Sequence, residues 1–542
     1  MAARPPRSAT LRPVEAWWRS GVLYQIYPRS FADGNDDGHG DLEGVIQHLD
    51  HLAWLGVDGI WLTPITPSPN TDWGYDVSDF TAVDPVFGDL EALDRLVTRA
   101  GEREIRVVLD LVPNHTSERH PWFLDARANR QARHRDWYVW ADPAPGGGPP
   151  NNWRSVFGGA AWTLDEPTGQ YFLHNFLAAQ PDLNWWNEEV RAAFDDILRF
   201  WLRRGVAGFR IDVANGIVKD RELRDNPPTT DDDSPLIRAL GQRPVHNMNR
   251  PEVHDVLRRW RRVAGEFEPP GLLIGETWVH TVDELVRFYG DGTDELDLAL
   301  NFPFAFAALG DETRAVALAV EASLPEGAWP VWFGSNHDAG RFPTRWCDGD
   351  ERRVRLALLV LLTLRGTPLL YYGDEIGLPE VPVPRERLRD PVGIRGWPED
   401  LGRDRMRTPM PWNAAENGGF TRPGADPWLP AGYPAARNVA GQRGDPGSVL
   451  HLCRDLIALR RERADLRTGG WASLEAPEHV WAWRRGETTV VAANRSDRPA
   501  EVALGPGEVL IGTRRDRDGA RLGGRLRLEP WEALVLGTGP VA

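Results

Sequence analysis

The sequence predicts an α/β protein: a (β/α)8 TIM barrel with a subdomain inserted after its third strand and a C-terminal antiparallel β domain. Three observations predict it. Short β-rich runs alternate with amphipathic helical stretches along most of the chain, and several runs are apolar at nearly every position, as strands buried on both faces are. A long stretch rich in Trp, Pro, Gly and Asn, residues 114–186, separates the third run from its helix and is too long for a simple loop. After residue 470 the pattern changes to short alternating runs punctuated by turn residues.

Taken in order, the strand runs are VLYQIYP (22–28), GIWLTP (59–64), RVVLDLV (106–112), GFRIDVA (208–214), GLLIGET (271–277), LDLALNF (296–302), VWFGSNHD (331–338) and GTPLLYYG (366–373). Helices fall between them. Val45, Leu49, Leu52 and Leu55 keep helical spacing, with Gly56 placed as a C-terminal cap. Val190, Phe194, Ile197 and Trp201 repeat the pattern before Gly205, and Val449, Leu452, Leu456 and Leu459 form another such stripe. The expected division is a barrel of residues 1–113 and 187–469, an inserted subdomain of 114–186, and a β-sandwich-like domain of 470–542.

A chain of 542 residues with a formal net charge of -16 is suited neither to nucleic acid nor to an anionic membrane. The longest apolar run, Leu356 to Leu364, is far short of the ~20 residues a spanning helix needs. The N-terminal stretch has arginines but no apolar leader core. Two cysteines exclude a disulfide scaffold or a cysteine zinc cluster and suit a reducing, cytoplasmic setting. Lys219 is the only lysine. The 25 tryptophans read first as core aromatics and second as ring faces for flat ligands such as sugars.

The chemistry of such a barrel lies at the C-terminal ends of its strands. Asp110, Asn114 and His115 fall at the end of the third, Arg210 and Asp212 of the fourth, Glu276 of the fifth, and His337 and Asp338 of the seventh. Arg210 and Asp212 share parity, so both point the same way, and a buried ion pair is a poor device for stability alone. Two carboxyl groups across a pocket are the machinery of glycoside cleavage: one attacks the anomeric carbon, the other protonates the leaving oxygen. Arg210 would keep Asp212 ionised as nucleophile, leaving Glu276 as acid/base.

At these residues the sequence resembles the alpha-amylase family of glycoside hydrolases, near its oligo-1,6-glucosidase and alpha-glucosidase members. The motifs are DLVPNH (110–115), GFRIDVA (208–214), GET (275–277) and SNHD (335–338), with GIWLTP (59–64), QPDLN (180–184) and RTPMPW (407–412) in order around them. The resemblance implies a retaining, exo-acting alpha-glucosidase on short oligosaccharides or sucrose-like glucosides, with transglucosylation as a side activity. Asp212 would form the glucosyl-enzyme, Glu276 would be acid then base, and Asp338 would hold the distorted sugar. His115 and His337 would donate to its hydroxyls, Tyr75 would be a stacking floor, and Asp72 with Arg407, or with nearby Arg403, would grip the terminal glucose. Retention would place the two working carboxyl groups about 5–5.5 Å apart. Val213, after the nucleophile, leans towards alpha-1,6 bonds.

DGNDDGHGD carries oxygen donors at alternate positions: Asp33, Asn35, Asp37, the carbonyl of His39, and Asp41. Position twelve is Gly44, so it is not an EF-hand. The resembling glucosidases carry a similar loop, which implies a structural calcium or magnesium ion here; no organic cofactor and no catalytic metal are expected. The alternatives are a sucrose isomerase, trehalose synthase or amylosucrase on the same scaffold, and a non-catalytic transporter-associated relative. No isomerase loop of the RLDRD kind is present; LRDPVGIRGWPEDLGRD (388–404) stands there.

Overall fold

The computed structural model describes residues 16–432 and 434–539. The stretch read above for a leader, residues 1–15, lies outside them. Strands β1 (Leu23–Ile26), β2 (Gly59–Leu62) and β3 (Arg106–Leu111) open the barrel. The insertion carries β4 (Trp140–Ala141), β5 (Trp162–Asp165) and β6 (Gln170–Leu173). The barrel resumes with β7 (Gly208–Ile211), β8 (Leu272–Gly275), β9 (Leu298–Ala299), β10 (Val331–Trp332) and β11 (Thr367–Tyr371). Each of the eight expected runs contains its strand, trimmed at the ends.

The barrel strands are all parallel, in the order β10-β11-β1-β2-β3-β7-β8-β9. Backbone closure is therefore nearly complete: β9 and β10, two residues each, do not pair. Side chains close that seam, where Phe302 and Phe333 meet edge-on at 5.3 Å beside Leu298, Leu300 and Val331. Alternate strand residues share a face. Leu23, Trp61, Val108, Ile274 and Leu369 belong to the same apolar cluster. Two residues further along the same faces the chemistry changes to buried Gln25 and Glu276 and to Asp110, whose register partner is Arg210. The apolar barrel thus ends in a polar layer at the carboxyl ends of its strands.

The single helix expected around Leu49 is two, Leu42–Gln47 and Leu49–Leu55. His48 breaks it: its backbone amide bonds to Val45, its ring to the carbonyl of Gly44, and its imidazole lies 3.8 Å from the Trp412 ring. Gly56 does cap the second helix, at φ +93°, where a side chain would be strained. Asn187 caps Glu188–Arg203 and Ser448 caps Val449–Glu462, each through its side-chain oxygen.

The insertion folds as a three-stranded sheet, β4-β6-β5, and returns to the barrel through a bridge between His115 and Asp182. At the C-terminal end, β12 (Trp471–Leu474), β13 (Val480–Arg485), β14 (Thr489–Asn494), β15 (Ala500–Gly512), β16 (Arg521–Leu528) and β17 (Ala533–Thr538) form one antiparallel sheet. The sandwich expected there is thus a single hydrogen-bonded sheet, its longest strand shifted in register at two places. Both faces are buried: Trp481 and Trp483 join the main core, while Val480 and Ala482 join a separate cluster with Val502 and Leu528. No helix among the described residues is long and apolar enough to cross a membrane.

Candidate active site

A cavity of about 560 Å3 opens at the carboxyl ends of the barrel strands, with Asp72, Tyr75, His115, Asp212, Glu276 and Asp338 in its wall. Behind it lies Arg210, fully buried. Its Nη1 sits 2.8 Å from Asp110 and 2.6 Å from Asp212, and its Nη2 sits 2.8 Å from Glu276. The ring of Trp61 covers the guanidinium at 5.1 Å. One cation thus holds the carboxylates that end β3 and follow β7 and β8, and the two that face the cavity are anchored to different nitrogens of the same planar group.

A second ion network closes the pocket. Arg403 reaches Asp72 at 2.7 Å, Asp390 at 2.8 Å and Asp338 at 3.3 Å. Arg407 holds Asp338 at 2.6 Å and the carbonyl of His337 at 2.9 Å. The expected Asp72–Arg407 pair is therefore corrected: Arg403 takes Asp72, and Arg407 lies one layer deeper. LGRDRMRTP offers both arginines in one turn-rich segment, and spacing alone does not say which reaches forward.

His337 is also deeper than expected. Its Nδ1 meets Gln25 at 2.8 Å, its Nε2 meets the Tyr75 hydroxyl and Asp338, and it is fully buried, outside the cavity wall. Tyr75 stacks on it at 5.4 Å and donates to Asp110 at 3.1 Å. His115 does line the cavity, with Nε2 at 3.1 Å from the Tyr75 carbonyl. Gln180, from QPDLN, donates to Asp72 at 3.0 Å. Among the tryptophans, Trp278 lines the cavity, whereas Trp153, Trp185, Trp260, Trp332, Trp481 and Trp483 are fully buried core.

Burial pushes Asp110 up to about 7 and raises Asp212 well above the usual carboxylate range, with Arg210 opposing in both cases and Glu276 adding to the rise. Arg210 was expected to keep Asp212 ionised. It is shared among three acids, and burial opposes it. Asp338 is different: burial works against it, but His337, Arg407 and Arg403 hold it below the usual range. Burial lowers His115 to about 4, so it is a neutral ring.

Val213 follows Asp212 with φ +46°, a costly conformation for a β-branched residue. That turn aims its amide at Glu276 Oε2, 2.9 Å away. Lys219, buried, pairs with Asp182 at 2.9 Å and donates to Asn114, tying the barrel segment after β7 to both ends of the insertion.

None of Asp33, Asn35, Asp37, His39 or Asp41 lines the cavity. The Asp33 carboxylate accepts from the amides of Asp36 and Gly38 at 2.7 and 2.8 Å, and Asp41 caps the next helix through the amide of Gly44. Among the described residues no three His, Cys, Asp or Glu side chains converge as a metal cluster. The donor set is nonetheless all oxygen. Burial raises Asp41 to about 6, with the amides of Gly44 and Gly34 opposing and Asp33 and Asp37 adding to the rise; oxygen donors of this kind suit a hard cation.

Residues 25–469 match the model of the alpha amylase catalytic domain. The chain is 44% identical to the probable alpha-glucosidase of Rhizobium meliloti (strain 1021), over 93% of this chain and 94% of that protein. It is 36% identical to the oligo-1,6-glucosidase of Parageobacillus thermoglucosidasius, over 96% and 98%. Among solved structures, the alpha-glucosyl transfer enzyme XgtA superposes with a TM-score of 0.90 at 41% identity, over 96% of this chain and 99% of that one.

Proposed function

We propose, because this chain belongs to the alpha-amylase family, that it is a retaining alpha-glucosidase that removes terminal glucose from short alpha-glucosides. One observation carries the reading: Asp212 and Glu276 face one cavity from two nitrogens of a single buried guanidinium. In the first step a carboxylate oxygen of Asp212 bonds to the anomeric carbon as the glycosidic bond breaks, and Glu276 gives its proton to the leaving oxygen. In the second step Glu276 takes a proton from water, whose oxygen bonds to the anomeric carbon from the face the leaving group vacated as the bond to Asp212 breaks, so the configuration is retained.

The amide of Val213 donates to the carboxylate that Glu276 becomes on giving up its proton, which favours its work as acid. Asp338, kept ionised by its arginines, is placed to hold sugar hydroxyls and the positive charge that develops on the ring. His115 offers a neutral ring to the same sugar. Asp72, Arg403 and Gln180 close the far end, which favours a chain terminus over a threaded polymer. Val213 favours alpha-1,6 bonds.

Analysis of products from maltose, isomaltose, sucrose and starch, with the anomer of released glucose followed by NMR, tests this reading. Release of α-glucose from short substrates supports it; β-glucose as first product, or cleavage inside starch chains, overturns it. The likeness to a glucosyl transfer enzyme favours transfer to sugar acceptors as a second outcome of the same intermediate. We also propose a structural calcium or magnesium ion at Asp33–Asp41 and a cytoplasmic setting, the latter supported by two free buried cysteines. Chelation should lower the melting temperature; an unchanged melt removes the cation from the account.

A further inference from the structure

Gln25 lies on β1 two residues beyond Leu23, in the polar layer behind the cavity, and is fully buried. Its amide nitrogen lies 2.8 Å from Nδ1 of His337, and its Oε1 finds no hydrogen-bond partner among the described residues. A buried amide left half unsatisfied is a costly way to fill a core, and methionine would occupy the same space without that cost. The satisfied half points to its use. The His337 ring stacks on Tyr75 at 5.4 Å, and the ring centres of Trp61 and Tyr27 lie 6.0 and 6.1 Å away. Packed in this way, the ring turns Nδ1 to Gln25, and Nε2 to the Tyr75 hydroxyl and to Asp338 Oδ2, 3.1 Å away.

Burial holds His337 well below its ordinary range, against the pull of Asp338 and with Arg407, Arg210 and Arg403 adding to the fall. The ring is therefore neutral and has one proton to place. Counting donors decides where it goes. The Tyr75 hydroxyl has a single proton, and Asp110 accepts it at 3.1 Å. Asp338 Oδ1 is held by Arg407 at 2.6 Å and Arg403 at 3.3 Å, which leaves Oδ2 to His337. With the ring proton on Nε2, Asp110 and Asp338 Oδ2 each receive a donor. With it on Nδ1, the Nε2 lone pair would face Asp338 Oδ2, and Asp110 would compete with Nε2 for the Tyr75 proton. A donor at Nδ1 excludes the second arrangement, and the Gln25 amide is that donor.

We propose that Gln25 is a positioning residue: its amide fixes the tautomer of His337, so that the Nε2–H group orients the Asp338 carboxylate towards the sugar. The proposal rests on the glucosidase reading for the sugar and on the buried geometry for the tautomer. Gln25 touches no substrate and acts through His337 and Asp338 in turn. Asp338 serves most as positive charge develops on the sugar ring, so a loss of its orientation falls on kcat more than on KM.

The experiment records heteronuclear NMR correlations of the histidine rings in the full wild-type chain, with His337→Asn to assign the signal. Beside it, kcat and KM on isomaltose are followed against pH for the wild type, Gln25→Met and Gln25→Glu. The wild-type ring should carry its single proton on Nε2. Gln25→Met should lower kcat roughly 2- to 13-fold, as the loss of one hydrogen bond does, with KM nearly unchanged. Gln25→Glu sets an acceptor at Nδ1, so neutral His337 turns its proton there. Its kcat should fall further at neutral pH and recover as pH drops and the imidazolium regains Nε2–H. A packing role would move neither the ring proton nor the pH profile. A wild-type ring protonated on Nδ1, or a Gln25→Glu variant with wild-type kcat and pH profile, overturns the proposal. The wild-type spectrum decides it even where a variant fails to fold. A wild type that turns over no alpha-glucoside overturns the glucosidase reading, while the spectrum still decides the tautomer.

Discussion

Replacing Arg403 by lysine tests which arginine governs the closed end of the pocket. Arg403 spans Asp72 at 2.7 Å, Asp338 at 3.3 Å, and Asp390 through two nitrogens at 2.8 and 3.1 Å. Lysine keeps the charge but has a single ammonium and no planar fork. It can retain Asp390, which is fully buried and the costliest carboxylate to strand, and must then release Asp72. A lost charge-assisted hydrogen bond is worth about 1.5–3 kcal/mol, which corresponds to roughly a 10- to 150-fold fall in kcat/KM. The fall should appear mainly in KM, because Asp72 grips the terminal glucose before and during the reaction alike. Arg407→Lys should instead lower kcat, since Arg407 holds Asp338. Steady-state kinetics on isomaltose, with thermal melts to confirm folding, separate the two. If Arg403→Lys stays within about twofold of wild type while Arg407→Lys loses KM, the assignment of Asp72 to Arg403 is wrong.

Asp212→Asn should abolish turnover of an aryl alpha-glucoside with the fold intact; more than about a hundredth of wild-type activity would remove it as nucleophile. Glu276→Gln should harm poor leaving groups most, and equal losses across a leaving-group series would argue against acid catalysis. Lys219→Met strands the fully buried Asp182 and should destabilise the fold by about 3–5 kcal/mol in denaturant melts; an unchanged midpoint would show the pair to be idle. His115, lowered by burial to about 4, refuses a proton that the unfolded chain accepts near 6.5. Its contribution is therefore complete at neutral pH and is lost as pH falls from about 6.5 to 4. His115→Gln should flatten that part of the stability profile, and an identical slope in both proteins would refute it.

The barrel was legible because strands buried on both faces write long apolar runs, and the acids at their ends stand out against them. Asp212, Glu276 and Asp338 meet at one cavity for that reason. What the sequence hides is depth. His337 and Arg407 carry the right chemistry, but parity cannot say that Tyr75 and Asp338 stand between them and the cavity. The competition between Arg403 and Arg407 for Asp72 is settled by how an irregular loop folds, and periodicity is silent there. The break at His48 has a similar cause: a helical stripe continues through it, and only the contact with distant Trp412 explains why the backbone turns. Nor does the sequence say that Arg210 is shared, touching Asp110 and Glu276 as well as Asp212.

Lys219 has a practical corollary. It is the chain's sole side-chain amine, and it is enclosed between Asn114 and Asp182. Amine-directed acylating reagents should therefore find no side-chain amine to modify while that enclosure holds. Their slow reaction at residue 219, read by mass spectrometry, would time how often the inserted subdomain lifts from the barrel, with no other lysine to obscure the signal.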